Sequence, residues 1–184
     1  LFRSGKLYRG VSNSAGEWGH TCIAMNGRPC RCGSRGCIEA YAGAPAIIEQ
    51  IRERDPHSPL LAHGSQIEIL RALGTAARRG DPLAVSMLDE VGATLGTGIG
   101  NLITLFNPQL IVLGGWAGTL LGADLLPRIQ AIVGQVALDQ PLANTSIRVS
   151  ALGWDAVSLG AATLALQAFL IGEDITMRKK VRHP

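Results

Sequence analysis

The order of apolar and polar residues divides the chain into segments of helical or strand character. Apolar residues three and four apart predict helices over 38–41, 45–54, 66–79, 82–106, 124–137 and 156–171. Short apolar or alternating runs predict strands over 109–113 and 146–151, and residues 1–9 are typical of a hairpin with Ser4-Gly5 at its turn. Strands and helices alternate in the second half, which indicates an α/β fold with a largely parallel sheet.

Turn-forming residues mark both ends of the longest predicted helix and the strand after it. Asp81-Pro82 places an N-cap directly before a proline at the first helical position, and Pro108 stops the helix. The uninterrupted apolar run 109–113 predicts a buried strand of a parallel sheet. Gly114-Gly115 then provides a tight turn into the next helix.

Residues 91–123 carry no charged side chain, a pattern that could indicate a membrane span. Asn107-Pro108 interrupts the run, however, and eight glycines punctuate it. A buried helix followed by a buried strand explains it better, with the glycines marking close approach of another backbone. The first residues show no signal peptide, so we expect a cytoplasmic protein without membrane contact.

The 184 residues are enough for a stable core, and 47% hydrophobic residues exclude a disordered chain. The net charge of +3 is unevenly distributed. Residues 1–35 hold six arginines or lysines and one acid, 178–184 form a basic tail, and 36–177 hold seven basic and thirteen acidic residues. An acidic body is a poor surface for a phosphate backbone, so the composition argues against DNA binding by this chain.

Three thiols lie within eight residues, at Cys30, Cys32 and Cys37, and His20 comes ten residues before the first. Zinc prefers thiolate and imidazole ligands, and four such ligands complete a structural tetrahedron. The pattern therefore predicts a structural Zn²⁺ held by these four side chains. Gly33 and a second glycine at position 36 would let the chain turn tightly enough to bring the sulfurs to one centre. Arginines at 31 and 35 would offset part of the thiolate charge.

Other interpretations of these residues remain. Disulfides would need an oxidising compartment, and Cys-x-Cys is not the usual redox spacing. Free buried thiols are the simplest alternative for the cysteines, and a core histidine bonded to a backbone carbonyl is the alternative for His20. Cys22 is left over, and we interpret it as a small core residue.

Two carboxylates flank the same segment, Glu17 before His20 and Glu39 after Cys37. Paired carboxylates fixed in space suit bidentate hydrogen bonds to vicinal hydroxyls. A solvated loop acid and an acid in the first turn of a helix are equally consistent with the spacing.

The motifs around these residues resemble the signature of the ROK family (repressors, open reading frames and sugar kinases). The resemblance covers nearly the whole chain and is carried by Leu7-Tyr8-Arg9-Gly10, Gly16-Glu17-Trp18-Gly19-His20, Cys30-x-Cys32-Gly-x-x-Gly36-Cys37-x-Glu39 and Asn107-Pro108-x-x-Ile111-Val112-Leu113-Gly114-Gly115.

The resemblance implies the actin-like, ribonuclease-H-like sugar kinase fold, mainly its C-terminal lobe, with a zinc-binding loop at 16–39. It implies that the zinc ligands are His20, Cys30, Cys32 and Cys37. It further implies that sugar hydroxyls contact Glu17, His20 and Glu39. The nucleotide-side turns of family kinases would correspond to Gly114, Gly115 and Gly160.

The chain departs from the kinases of this family in two respects. It contains neither their Asp-x-Gly-Gly phosphate loop nor their Asn-Asp catalytic pair, so it offers no candidate base for phosphoryl transfer. Trp116 stands where such kinases usually carry a third glycine, and an indole there argues against ATP binding. A tight strand-to-helix turn is the simpler interpretation of Gly114-Gly115.

We therefore expect residues 1–177 to be the sugar-sensing effector domain of a ROK transcriptional repressor, the C-terminal portion of a longer protein. DNA would be contacted only through an upstream helix-turn-helix segment, and the protein would be a homo-oligomer. The alternative is an ATP-dependent hexose kinase of the family, present as a fragment. A third possibility is a sugar-binding or scaffolding remnant with neither activity.

Overall fold

A computed structural model describes residues 2–3 and 5–171 of the chain. The predicted basic tail 178–184 and Ser4 of the predicted hairpin turn lie outside these residues. The described part combines helices and strands in alternation, so the predicted α/β class is confirmed.

Seven helices and four short strands follow one another along the described residues. Their bounds are β1 (Phe2–Arg3), β2 (Lys6–Leu7), α1 (Glu39–Ala42), α2 (Ala44–Arg54), α3 (Gln66–Arg78), α4 (Pro82–Phe106), β3 (Leu110–Leu113), α5 (Gly115–Val136), α6 (Asp139–Ala143), β4 (Ser146–Val149) and α7 (Ala156–Ile171). Shorter 3-10 turns lie at Trp18–His20, Pro59–Ala62 and Gly153–Asp155.

Strand β3, helix α5 and strand β4 form a strand–helix–strand unit. The two strands pair in parallel, with Leu110 opposite Ser146 and Leu113 opposite Val149. Strands β1 and β2 form an antiparallel hairpin, as the sequence predicts. The parallel arrangement of β3 is confirmed, but its predicted burial is only half right. One face packs against the core, whereas Leu110 and Val112 on the other face are half exposed.

Helix α4 lies at the centre of the hydrophobic core, between α2, α3 and α5. Met87 and Leu88 in its first half and Ile103 near its end are fully buried. The Asp81 carboxylate accepts a hydrogen bond from the Ala84 amide and caps the helix, as predicted. Asn107 adopts a left-handed conformation (φ 44°) and ends it before Pro108.

A stripe of glycines lets α4 pack closely against α5. A Cβ atom on Gly92, Gly96 or Gly100 would lie 2.6–2.8 Å from side-chain atoms of the facing helix. Those atoms belong to Arg128, Ile132 and Val136, which share the same four-residue spacing. Real Cβ atoms do not approach that closely, so the predicted role of these glycines is confirmed.

Helix α5 begins at Gly115, nine residues before its predicted start at 124. No helix was predicted over 115–123, where two glycines pack against the two strands. A Cβ atom on Gly118 would lie 3.1 Å from the Leu113 carbonyl carbon, and one on Gly122 would lie 3.0 Å from the Val149 side chain. The short helix α6 was not predicted, and β4 ends at Val149 rather than at 151.

In the described part of the chain, every helix is too short or too polar to cross a membrane. The uncharged run 91–123 is divided among α4, β3 and α5. This division agrees with the interpretation of that run as a buried helix followed by a strand.

We expect the substitution Gly96→Ala to destabilise the protein, because its Cβ would meet Ile132 at 2.6 Å and the Ile129 carbonyl oxygen at 3.0 Å. Overpacking of this kind costs about 1–3 kcal/mol. Gly134→Ala is the matched control, since Gly134 lies inside α5 and a Cβ atom there would have no neighbour within 4 Å. It should stabilise the helix by about 0.5–1 kcal/mol. Urea unfolding of both variants measures the difference, and equal effects would contradict the packing assignment.

Candidate sugar and metal site

The segment between the first 3-10 turn and helix α1 folds back on itself in a compact loop. Cys22 and Cys37 form an isolated antiparallel bridge, and the Ile38 amide donates to the Thr21 carbonyl at 3.1 Å. The Cys30 amide donates to the Ser34 carbonyl at 2.9 Å and closes the tip. These backbone bonds hold the cysteines close to His20.

Gly36 is the position where this loop requires glycine. Its φ is +74°, and a Cβ atom there would lie 1.8 Å from the carbonyl oxygen of Ala24. Gly33 also has positive φ, +92°, with free space around it. The predicted need for glycine at both turns is confirmed, and only Gly36 is also required by a neighbouring backbone.

The four predicted zinc ligands form one cluster, in which every pair of candidate ligand atoms lies within 4.8 Å. Cys32 Sγ lies 3.7 Å from Cys37 Sγ, and Cys30 Sγ lies 3.6 Å from His20 Nδ1. In a tetrahedron with Zn–S of about 2.3 Å and Zn–N of about 2.0 Å, the corresponding edges are about 3.8 Å and about 3.5 Å. The spacing and the donor set therefore fit zinc.

The thiols of the cluster have unequal acidities. Burial, together with hydrogen bonds to Cys32 and Cys30, raises the pKa of the Cys37 thiol to about 12. A hydrogen bond from the Ser34 backbone, with a smaller one from Cys30, lowers the pKa of Cys32 to about 7. A buried thiol such as Cys37 becomes a thiolate near neutral pH only when a cation offsets its charge, which a divalent metal in the cluster would do.

His20 connects the cluster to the two predicted sugar-binding carboxylates. Its Nδ1 faces the sulfurs, whereas its Nε2 lies 3.7 Å from Glu39 Oε2 and 4.0 Å from Glu17 Oε2. These separations exceed a direct hydrogen bond, so each of the three groups keeps bonding capacity for a ligand. The structure thus brings together Glu17, His20 and Glu39, while their binding of sugar stays a prediction.

Helical geometry positions both carboxylates. Glu17 precedes the 3-10 turn Trp18–His20, and its side chain is 70% exposed. Glu39 opens α1, as the alternative interpretation of this acid expected, and its side chain is only 28% exposed. A Cβ atom on Gly19 would lie 3.4 Å from Glu39 Oε2, so a larger residue there would crowd the carboxylate.

An ion pair that sequence reasoning did not predict adds a cation to the site. Arg31 Nε lies 2.6 Å from Glu39 Oε1, on the oxygen that does not face His20. In the sequence, Arg31 stands between Cys30 and Cys32. That position indicates that its guanidinium can offset thiolate charge, but it does not indicate the ion pair with Glu39.

Two further contacts fix the loop to the helical body. The Arg28 guanidinium makes a bidentate pair with Glu53 of α2, at 2.6 and 2.8 Å, and its amide donates to the Tyr41 hydroxyl at 2.9 Å. The Trp18 indole packs on α4, where a Cβ atom on Gly98 would meet it at 2.7 Å. Neither contact was predicted, because each joins residues far apart in the sequence.

The remaining predicted residues lie elsewhere. Cys22 is exposed, so its interpretation as a core residue is wrong: the bridge to Cys37 leaves its side chain outside the cluster.

Gly114 and Gly115 form the turn into α5, with φ +71° at Gly115. The Trp116 indole that follows this turn is partly buried against the core. Gly160 lies on the exposed helix α7.

A groove of about 740 Å³ runs along α3 beside the Pro59–Ala62 turn. Its walls include Arg71 and Arg79, and none of the predicted site residues lines it. The groove is therefore separate from the site described above.

Comparison with known proteins finds relatives among both repressors and kinases. A xylose repressor of Caldicellulosiruptor bescii is 29% identical over 169 residues, which are 90% of this chain and 42% of the repressor. A glucokinase of Halalkalibacterium halodurans is 34% identical over 173 residues, 91% of this chain and 52% of that enzyme. The chain thus spans about half the length, or less, of these relatives.

The fold is shared with a crystal structure of a ROK family glucokinase from Streptomyces griseus, determined in complex with glucose and AMPPNP. That structure superposes with a TM-score of 0.74 and 31% identity, over 89% of this chain and 55% of the glucokinase. This structural relative has the actin-like fold that the resemblance implied. The family model of the ROK family matches residues 2–168. The chain belongs to the ROK family.

Proposed function

We propose that this chain is the sugar-binding part of a ROK protein, corresponding to the C-terminal lobe of the actin-like fold. Ligand hydroxyls would be bound by Glu17, His20 and Glu39. The observation that carries the proposal is the position of His20, whose two ring nitrogens face the cysteine cluster and the two carboxylates.

The ring nitrogens of His20 have separate tasks in this proposal. Structural zinc, held by His20, Cys30, Cys32 and Cys37, would neutralise thiolate charge and fix the loop. With Nδ1 used for the metal, Nε2 carries the remaining ring proton and donates a hydrogen bond. The Glu17 and Glu39 carboxylates accept hydrogen bonds. A sugar diol both donates and accepts, so one donor flanked by two acceptors is complementary to vicinal hydroxyls.

Within the family, we assign the chain to the repressor class. Residues 1–177 would form the cytoplasmic effector-sensing domain, and DNA would be bound by a helix-turn-helix segment upstream of it. Sugar would shift the equilibrium between two states of a homo-oligomer, which requires different affinities for the two. Support comes from the similarity to a xylose repressor.

A hexose kinase is the second candidate, and one observation favours it. Gly114 is exposed, and a Cβ atom on Gly115 would meet no atom within 4 Å outside its chain neighbours, so the turn at the N-terminus of α5 is open. Backbone amides at a helix N-terminus suit phosphate groups. The similarity to a glucokinase agrees with this candidate equally well.

We expect protein purified without added metal to contain about one zinc ion per chain, measured by elemental analysis. Removal of the metal with a chelator should lower the Tm by about 10 °C or more, since each kcal/mol corresponds to roughly 2–4 °C for a protein of this size. Cys32→Ser should lose both the zinc and the stability. Cys22→Ser is the matched control and should keep both, because Cys22 lies outside the cluster. A stable protein free of metal would refute the zinc assignment.

We expect glucose or xylose to bind with a measurable heat in titration calorimetry at millimolar concentration. Glu39→Gln should weaken binding by about ten-fold or more, because the amide replaces a charged acceptor with a neutral one. Glu49→Gln is the control for the loss of an exposed carboxylate, since Glu49 lies on α2 and pairs with Arg52. A panel of neutral sugars that gives no heat, or an equal loss in both variants, would count against the site.

The two candidate functions differ in one measurable activity. The complete product of the gene that encodes this chain is incubated with sugar and ATP, and release of ADP is followed. As a repressor it should release no ADP above the level without sugar, and sugar should change its affinity for operator DNA. Sugar-dependent ADP release would overturn the repressor assignment in favour of the kinase.

A further inference from the structure

The Arg31 side chain is the cation at the candidate sugar site that the proposed function leaves without a task. Its Nε lies 2.6 Å from Glu39 Oε1, and its side chain is 77% exposed. Within residues 2–3 and 5–171, the guanidinium makes no other ion pair and no hydrogen bond to a side chain or backbone group. Its terminal Nη1 and Nη2 groups, which carry four N–H donors, therefore remain open to a ligand.

The other two arginines of the loop differ from Arg31 in their surroundings. Arg28 is committed to its bidentate pair with Glu53. Arg35 is exposed, and the ion pairs of the described residues do not include it or place it near a candidate site carboxylate. Arg31 is thus the loop arginine that contacts a candidate sugar-binding group.

The geometry of the pair suits a second task for the same guanidinium. Glu39 uses Oε1 for Arg31 and turns Oε2 toward His20, so the carboxylate joins the cation to the proposed hydroxyl-binding groups. A planar guanidinium matches the two oxygens of a carboxylate or phosphate with parallel hydrogen bonds. A ligand that reaches Glu39 with a hydroxyl could reach the open end of Arg31 with an anionic group.

We propose that Arg31 is a specificity-determining residue, and that the ligand of this site is a sugar with an anionic substituent, a phosphate or a carboxylate. The proposal rests on the proposed function, because it assumes that Glu17, His20 and Glu39 bind the sugar ring. A purely positioning role, in which Arg31 only orients Glu39, gives a different result: it would affect neutral and anionic sugars equally.

The test is titration calorimetry of the whole protein with glucose, glucose 1-phosphate, glucose 6-phosphate and glucuronate. The native protein should bind at least one anionic sugar about ten-fold more tightly than glucose, as expected for a charge-assisted contact. Arg31→Gln should remove that preference, so that the anionic sugar loses about ten-fold more affinity than glucose does. Arg31→Lys, which keeps the charge without the planar fork, should retain part of the preference. The phosphates and the uronate together show which anion is recognised.

Arg35→Gln is the matched control, since it removes an equally charged and exposed arginine of the same loop and should keep the preference. Equal affinities for neutral and anionic sugars in the native protein would overturn the proposal, as would a preference that survives Arg31→Gln. Equal losses for all four sugars in Arg31→Gln would also overturn it, in favour of positioning. Absence of binding by every sugar, with zinc present and the fold intact, would instead refute the proposed function on which it rests.

Discussion

The site depends on one imidazole that serves two sets of side chains. His20 directs Nδ1 toward three cysteines and Nε2 toward two carboxylates, so the metal cluster and the proposed ligand groups share a single ring. A bound metal at Nδ1 fixes the ring orientation and leaves a proton on Nε2. The proposed metal binding and the proposed hydroxyl binding, which look separate in the sequence, would therefore share one side chain.

The loop that carries this imidazole has no extensive core of its own, so it needs anchors on the helices. The exposed Arg28–Glu53 pair contributes little by itself, since surface ion pairs are worth about 0–1 kcal/mol. The Trp18 indole contributes more, because it is partly buried against α4 at Gly98. Packing thus places the loop on the helical body, and the polar contacts set its orientation.

Local features of the site could be predicted from sequence, and long-range ones could not. The Cys30–Cys37 spacing and His20 sufficed for the cluster, because ligands close in sequence are limited in how far apart they can lie. Cys22 and Cys37 are paired through their backbones, yet the Cys22 side chain is exposed and the Cys37 side chain is buried. The spacing of the cysteines in the sequence does not determine which of the two side chains is buried. The early start of α5 was missed for a similar reason: glycines that pack against strands are indistinguishable in sequence from glycines in a loop.

A sugar sensor and a sugar kinase can share such a site because their requirements diverge elsewhere. Each needs a rigid arrangement that holds hydroxyls with little loss of side-chain entropy, and a crosslinked loop provides it. The kinase must then bind the transition state more tightly than the ground state, which requires a base and a phosphate-binding surface. For a sensor, the sugar must bind one conformation of the protein more tightly than another. Neither requirement acts on the proposed hydroxyl-binding groups Glu17, His20 and Glu39, and relatives of both kinds match this chain to a similar degree.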